Sequence, residues 1–455
     1  MNSKLVDQLQ VWGFEEGKLI FKDLSLGSVL ELTAKDISCS TDEYLNSLKS
    51  VTCDFLNGLP EKLSIQFVQM TAGGSSQMSE DHASLLKDSA SRLSKSLLNE
   101  RVQKISDLNS KNEIIDQKLY VVIRRSFVNK IKTKKKRFRL FKKDDSSEEY
   151  FARSILEPEL KLFSQMELNI QKGFETLGIK TRTLSEGETY SLLYKQWNPD
   201  GLMPENSFDS EDFRDGLLLN DFVITSRGFM LGQTHHRVLS LKIMPERTFA
   251  SMAEKLRELP FGSNLFLTIQ VLDQASEDLA LKTQRRIAYS MYSGQKGIQD
   301  LDSAAKLQDI EAVLSKRVSG ETKIFSVSLA VLLKSENEHD LDSQVASVLA
   351  KFRELSGSEG MLESLAASPI FFDLAMPNAR CRDRSRRMNT EVLADFLPIF
   401  GDWKGHQIPR LLLRNRSSGL IGFDPFSPTL TNFNQVISGG SGAGKSFCAP
   451  RRRCA

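Results

Sequence analysis

Leu59-Pro60-Glu61-Lys62-Leu63-Ser64-Ile65-Gln66-Phe67 is the stretch on which the fold turns. Leu63, Ile65 and Phe67 alternate with polar residues, the period-two signature of a strand with one face in a core. The Leu-Pro pair ahead of it is a stop signal, because proline pushes its predecessor out of the helical region. The same opening returns at Leu259-Pro260, ahead of an apolar strand over Leu265 to Leu272.

The neighbours of the two stretches also match. Before the first, Lys18 to Leu32 reads as a β-hairpin turning near Ser25 to Ser28. A helix then starts at a Thr41 or Asp42 cap, carries Tyr44, Leu45, Leu48, Val51, Phe55 and Leu56 on one stripe, and ends at Gly58. After it come a long polar helix over Ser79 to Asn109 and a strand, Leu119 to Ile123. Before the second stretch, Leu217 to Ile243 predicts two or three strands and Glu246 to Glu258 a helix. A long charged helix over Glu277 to Lys316, a strand over Ile324 to Leu333 and a helix over Asp340 to Leu355 come next. Shared order predicts duplicated α/β units, coincidence among common elements being the alternative. The fold class expected is α/β (α+β): tandem units with mixed sheets and long helices, over residues 1–200 and 201–375.

Composition places the chain among ordinary folded proteins: 455 residues, 40% hydrophobic, 26% charged, formal net charge +3. No run of 18 apolar residues occurs and Met1 to Gln10 lacks a basic segment with an apolar core, so the expectation is neither secretion nor membrane spanning. Cys39, Cys53, Cys381, Cys448 and Cys454 lack C-x-x-C spacing and read as reduced cytosolic thiols. Adjacent His235 and His236 would point to opposite faces of a strand, and His82, His339 and His406 stand alone. No metal site is expected from them.

Residues 130–143 hold nine Lys or Arg and no acid. Three readings stay open: a solvated surface loop balanced by Asp144-Asp145 and Glu148-Glu149, a peripheral contact with an anionic membrane, and nucleic-acid binding. The first is favoured, because a local run is not a basic face.

Gly439-Gly440-Ser441-Gly442-Ala443-Gly444-Lys445-Ser446 has the spacing of a phosphate-binding P-loop. Lys445 would reach the β- and γ-phosphates, Ser446 would hold Mg²⁺ through its hydroxyl, and a helix opening at Phe447 would aim its N-terminus at the anion. Asn434 to Ser438 is predicted as a short buried strand feeding the loop. Residues 434–455 would thus be only the first strand and loop of a RecA-like P-loop domain. Pro450 cuts the helix short, and the tail through Arg451-Arg452-Arg453 carries no amphipathic pattern. It reads as a prematurely ended frame without the acidic Walker B residue.

Between these parts, residues 376–433 read as a connector with five arginines between Arg380 and Arg387, then Leu397-Pro398, Gly401-Asp402-Trp403-Lys404-Gly405 and a hairpin over Leu411 to Asp424 turning at Ser417-Ser418-Gly419. Gly422-Phe423-Asp424-Pro425-Phe426, Asn434 and Gly439 to Phe447 complete the series. In this order they resemble the approach to the motor domain of type IV secretion and conjugation ATPases, the TraC-like branch in particular. The tandem units resemble that family's amino-terminal half in element order. The resemblance implies a cytoplasmic ATPase at the inner-membrane base of a secretion channel, assembled in hexameric rings, that drives pilus assembly or DNA and protein transfer with ATP and Mg²⁺. Its amino-terminal half would contact inner-membrane channel components. The nucleotide site carries over to Gly439 through Ser446 alone, so catalysis by this chain is not expected and ATP affinity is expected to be weak or absent. Two alternatives stand beside it: a non-catalytic docking module of the channel, and a DNA-pumping motor of the FtsK or HerA type, which shares the loop but not the long α/β region.

Overall fold

A computed structural model describes residues 5–74, 77–88, 92–111, 113–126, 145–203, 214–294, 301–406, 409–415, 418–434 and 436–442. The first unit opens with three strands, β1 (Val11–Glu15), β2 (Lys18–Phe21) and β3 (Leu26–Leu32), after a short α1 (Leu5–Gln8). A two-residue strand, β4 (Lys35–Asp36), precedes helix α2 (Asp42–Gly58), whose Thr41 hydroxyl accepts from the Tyr44 N–H as an N-cap. Strand β5 (Leu63–Gly73), helices α3 (Gln77–Asp88) and α4 (Arg92–Ser110), and strand β6 (Ile115–Arg125) come next. Helix α5 (Asp145–Thr176), strand β7 (Thr181–Thr183) and helix α6 (Glu186–Trp197) complete the unit.

The second unit repeats the order. It runs β8 (Phe222–Thr225), β9 (Gly228–Leu231), β10 (Thr234–Ile243), α7 (Glu254–Arg257), β11 (Ser263–Val271), α8 (Gln274–Gly294) and α9 (Leu301–Val318). Then come β12 (Ile324–Ser335), α10 (Glu338–Glu354), β13 (Glu359–Glu363) and α11 (Ala367–Leu374). Pairing repeats as well. In the first unit β3 bonds β2 and β7 along one edge and β6 along the other; in the second, β10 bonds β9 and β13 along one edge and β12 along the other.

The units share one sheet. Its main path is β1-β2-β3-β6-β5-β11-β12-β10-β9-β8, and the seam is β5 against β11, with Phe67 opposite Leu267 and Gln66 opposite Thr268. Every pair in this sheet is antiparallel, which corrects the expectation of mixed sheets in two units. Fusion results from burial: a strand in mid-sheet needs partners on both edges for its N–H and C=O groups, and β5 finds the second in β11.

Alternate residues of each central strand feed two cores, as strand geometry requires. Leu30, Val121, Ile123, Leu239, Val331 and Leu333 point to one face, where α2, α5 and α10 cover them. Val29, Tyr120, Val122, Val238, Ala330 and Leu332 point to the other, under α6 and α11. The result is three layers, helices on both sides of a sheet.

Several expectations need correction. The predicted long helices over Ser79 to Asn109 and Glu277 to Lys316 are each two helices, α3 with α4 and α8 with α9. The predicted helix over Glu246 to Glu258 is helical only at α7, since Ser251 has a φ of 65° that no right-handed helix accommodates. The basic run at residues 130–143 lies outside the described residues.

Candidate nucleotide site and its connector

The connector is built from the end of α11 onward. Its first part crosses the sheet face over a polar belt. Arg124 reaches up from β6, donating from Nε to the Ser25 hydroxyl at 2.8 Å, from Nη2 to Asp23 Oδ2 at 2.7 Å and from Nη1 to the Asn378 carbonyl at 2.5 Å. Burial pulls the Arg124 guanidinium down to about 10, against the opposing attraction of Asp23. The backbone N–H of Met376 donates to Gln196 Oε1 at 3.0 Å, tying the crossing to α6.

The arginine-rich stretch is a row of clamps. Arg380 donates to Gln10 Oε1 at 2.7 Å, and Arg382 forks Asp373 with its Nε 2.9 and 3.0 Å from the two oxygens. Arg384 forks Glu363 at 2.7 and 3.0 Å, Arg386 reaches the Lys242 carbonyl at 2.8 Å, and Arg387 forks Glu277 at 2.8 and 3.0 Å. The three carboxylates are buried. Their charges are matched by fork geometry, the arrangement that makes Arg–carboxylate pairs specific. Each arginine holds the connector to a different element, and all five are used within this chain.

Strand β14 (Arg386–Asn389) adds to β12, and helix α12 (Thr390–Phe396) packs Leu393 and Phe396 into the core. The fully buried Asp395 takes a 2.7 Å bond from Lys49 on α2. Two-residue β15 (Phe400–Gly401) then runs parallel to β4. Asp402 accepts from Arg257 at 3.2 Å and from Asn415 at 2.9 Å, and Lys404 donates to the Gln117 carbonyl at 3.0 Å. The hairpin predicted over Leu411 to Asp424 is present as β16 (Leu411–Arg414) and β17 (Leu420–Phe423). The Ser418 carbonyl accepts from the Ile115 N–H, so the hairpin abuts the start of β6. The His406 ring accepts from the Asp424 N–H at Nδ1, 3.0 Å away, which places its proton on Nε2.

Gly405 has no substitute here. Its φ is +89°, and a Cβ would lie 1.8 Å from the Gly422 carbonyl oxygen. Gly405→Ala should cost about 1–3 kcal/mol from backbone strain alone. Hydrogen exchange checks this: amides of β16 and β17 should lose protection while those of β12 keep theirs.

Beyond Phe426 the chain reaches the surface. Phe426 and Phe433 are 56% and 58% exposed, and Val436 is 94% exposed. Residues 436–438 form no strand, which corrects the buried strand predicted over Asn434 to Ser438. The physical reason is pairing: among the described residues no strand lies beside this segment to bond its backbone. Gly439, Gly440, Ser441 and Gly442 are exposed and end in a turn with Gly442 at φ +76°. Ala443, Gly444, Lys445 and Ser446, with the helix expected at Phe447, lie outside the described residues.

A phosphate cradle needs successive N–H groups held inward between a packed strand and a helix N-terminus; among the described residues no strand precedes Gly439 to Gly442. Among the described residues no group of three or more His, Cys, Asp or Glu is placed to hold a metal ion. His236 stacks on Phe229 at 4.9 Å, with Nδ1 3.0 Å from the Thr234 carbonyl. Sequence reasoning missed the buried carboxylates that the arginines grip, because partners as distant as Glu277 is from Arg387 carry no local signal.

No protein-family model matches this chain, and no curated protein matches it.

Proposed function

We propose that the chain is the channel-docking part of a TraC-like type IV secretion ATPase, working at the cytoplasmic face of the bacterial inner membrane. One observation carries this reading. The segment whose motifs resemble the family's approach to its motor, Arg380 to Phe426, is bonded to both α/β units and leads to Gly439 to Gly442, which are exposed at the surface. A connector clamped at five arginines transmits force or position between the P-loop sequence at its far end and the partner that the double unit grips. The partners are inner-membrane channel components and other ATPase subunits. ATP and Mg²⁺ belong to the reading through Lys445 and Ser446, but no phosphoryl-transfer step is derived from residues 436–442. Among the described residues no helix is long and apolar enough to cross a membrane, which accords with a partner-mediated contact.

Flotation of the purified chain with inner-membrane vesicles tests the docking. Vesicles from cells that carry the secretion channel should retain the chain, and vesicles from cells without it should not. Equal retention by both, or by neither, contradicts the proposal.

A further inference from the structure

Helices α2 and α5 touch at one point and leave a groove beside it. At the contact, Gly173 of α5 lies so close to Phe55 that a Cβ would sit 2.5 Å from the ring. From there a groove of about 440 Å³ extends along α5 past Ile170 and Met166 to Leu162, with Leu59 and Pro60 on the α2 side. That volume is within the range of roughly 300–1,000 Å³ typical of small-ligand sites. The lining is mainly apolar, with one cation.

The cation is Arg125, the last residue of β6. Its neighbour Arg124 points to the opposite face and is fully engaged, whereas Arg125 points into the groove and is half-buried. The only polar contact of its guanidinium among the described residues is Met166 Sδ, 4.0 Å from Nη1, and no described carboxylate pairs with it. A half-buried guanidinium on an apolar floor, with no counter-charge among the described residues, is a ready partner for an anion. The one acid in the lining, Asp54, is at the exposed rim on α2.

We propose that this groove binds the anion of a long-chain carboxylic acid, its acyl chain along α5 and its carboxylate on Arg125. Two features suit a single-chain carboxylate. The mainly apolar lining runs along α5 from Gly173 to Leu162, a track for one acyl chain. The head is matched by one fork-shaped donor, which suits the two oxygens of a carboxylate.

The test is calorimetric titration of the full chain with laurate below its critical micelle concentration, beside dodecyltrimethylammonium, which has the same chain and the opposite charge. Laurate should bind at one site with a Kd below about 100 μM, and the ammonium should not. Arg125→Gln should weaken laurate at least tenfold, while Arg125→Lys, which keeps the charge and loses the fork, should weaken it by less. Should Arg125→Gln fail to fold, Leu162→Glu, at a residue 48% exposed, places a like charge at the rim and should weaken laurate with an unchanged melting curve. Absent laurate binding, equal binding of the two amphiphiles, or unchanged affinity in Arg125→Gln overturns the proposal. So does displacement of laurate by anionic phospholipid vesicles, which would identify a membrane lipid as the occupant.

Discussion

Phe67→Ala should lower the unfolding free energy by about 3–5 kcal/mol, and the loss should be felt in both units. Phe67 is 1% exposed, lies edge-on to Phe174 with ring centroids 6.1 Å apart, and is paired across the seam with Leu267. Truncating it opens a cavity in the core that holds Phe174 of α5 and Val331 of β12 alike. Independent units would lose stability in the first alone and unfold in two steps. A shared sheet should give one denaturant transition, shifted as a whole, with hydrogen-exchange protection in β12 falling together with that in β6. Two resolved transitions, with β12 unaffected, would contradict the seam as a structural bond.

The second large effect is acid sensitivity from His236. The ring is 2% exposed, and burial is the main cause that holds it down at about 3. Lys334 and His235 push the same way, while the Thr234 carbonyl and Asp200 oppose. Above pH 6.5 the ring is neutral in both states and contributes no pH dependence. As pH falls below 6.5 the unfolded chain takes up a proton that the folded chain refuses, so stability is lost until the folded ring protonates near pH 3. The interval corresponds to about 5 kcal/mol. His236→Phe, which can keep a stack on Phe229, should be slightly less stable at pH 7 and should lose less stability as the pH is lowered through this interval. Parallel pH profiles of the two proteins would contradict this assignment. The buried carboxylates gripped by arginines are common to both proteins, so the comparison isolates the ring.

Much of the repeat was legible in the sequence. Leu59-Pro60 and Leu259-Pro260 mark equivalent positions, and the hairpin over Leu411 to Asp424, the α2 cap at Thr41 and the apolar run Leu119 to Ile123 are where local pattern placed them; the first hairpin turns over Lys22 to Ser25, earlier than the Ser25 to Ser28 expected, because Leu26 to Ser28 already pair in β3. The union of the units was not legible. Antiparallel pairing of β5 with β11 depends on which edges are left open once each unit has folded, and the alternation Leu63, Ile65, Phe67 says only that one face is buried. Helix α5 also escaped, since Pro158 falls inside it and its stripe is interrupted by Glu159 and Glu167, which are buried charges. At Asn434 to Ser438 the pattern misled. Val436 and Ile437 have strand character, but β-propensity expresses a fit to a half-buried surface, and the described structure provides none there. The arginines from Arg380 to Arg387 were visible as a cluster, while their role as clamps rested on Asp373, Glu363 and Glu277, which only the fold brings near.

The most direct test of the central claim, that this chain docks without driving, is steady-state ATP hydrolysis by the purified 455-residue protein in saturating Mg²⁺ and ATP, beside its Lys445→Ala variant. The two rates should coincide, and neither should exceed the protein-free rate. Hydrolysis by the unsubstituted chain that disappears in Lys445→Ala would contradict the claim.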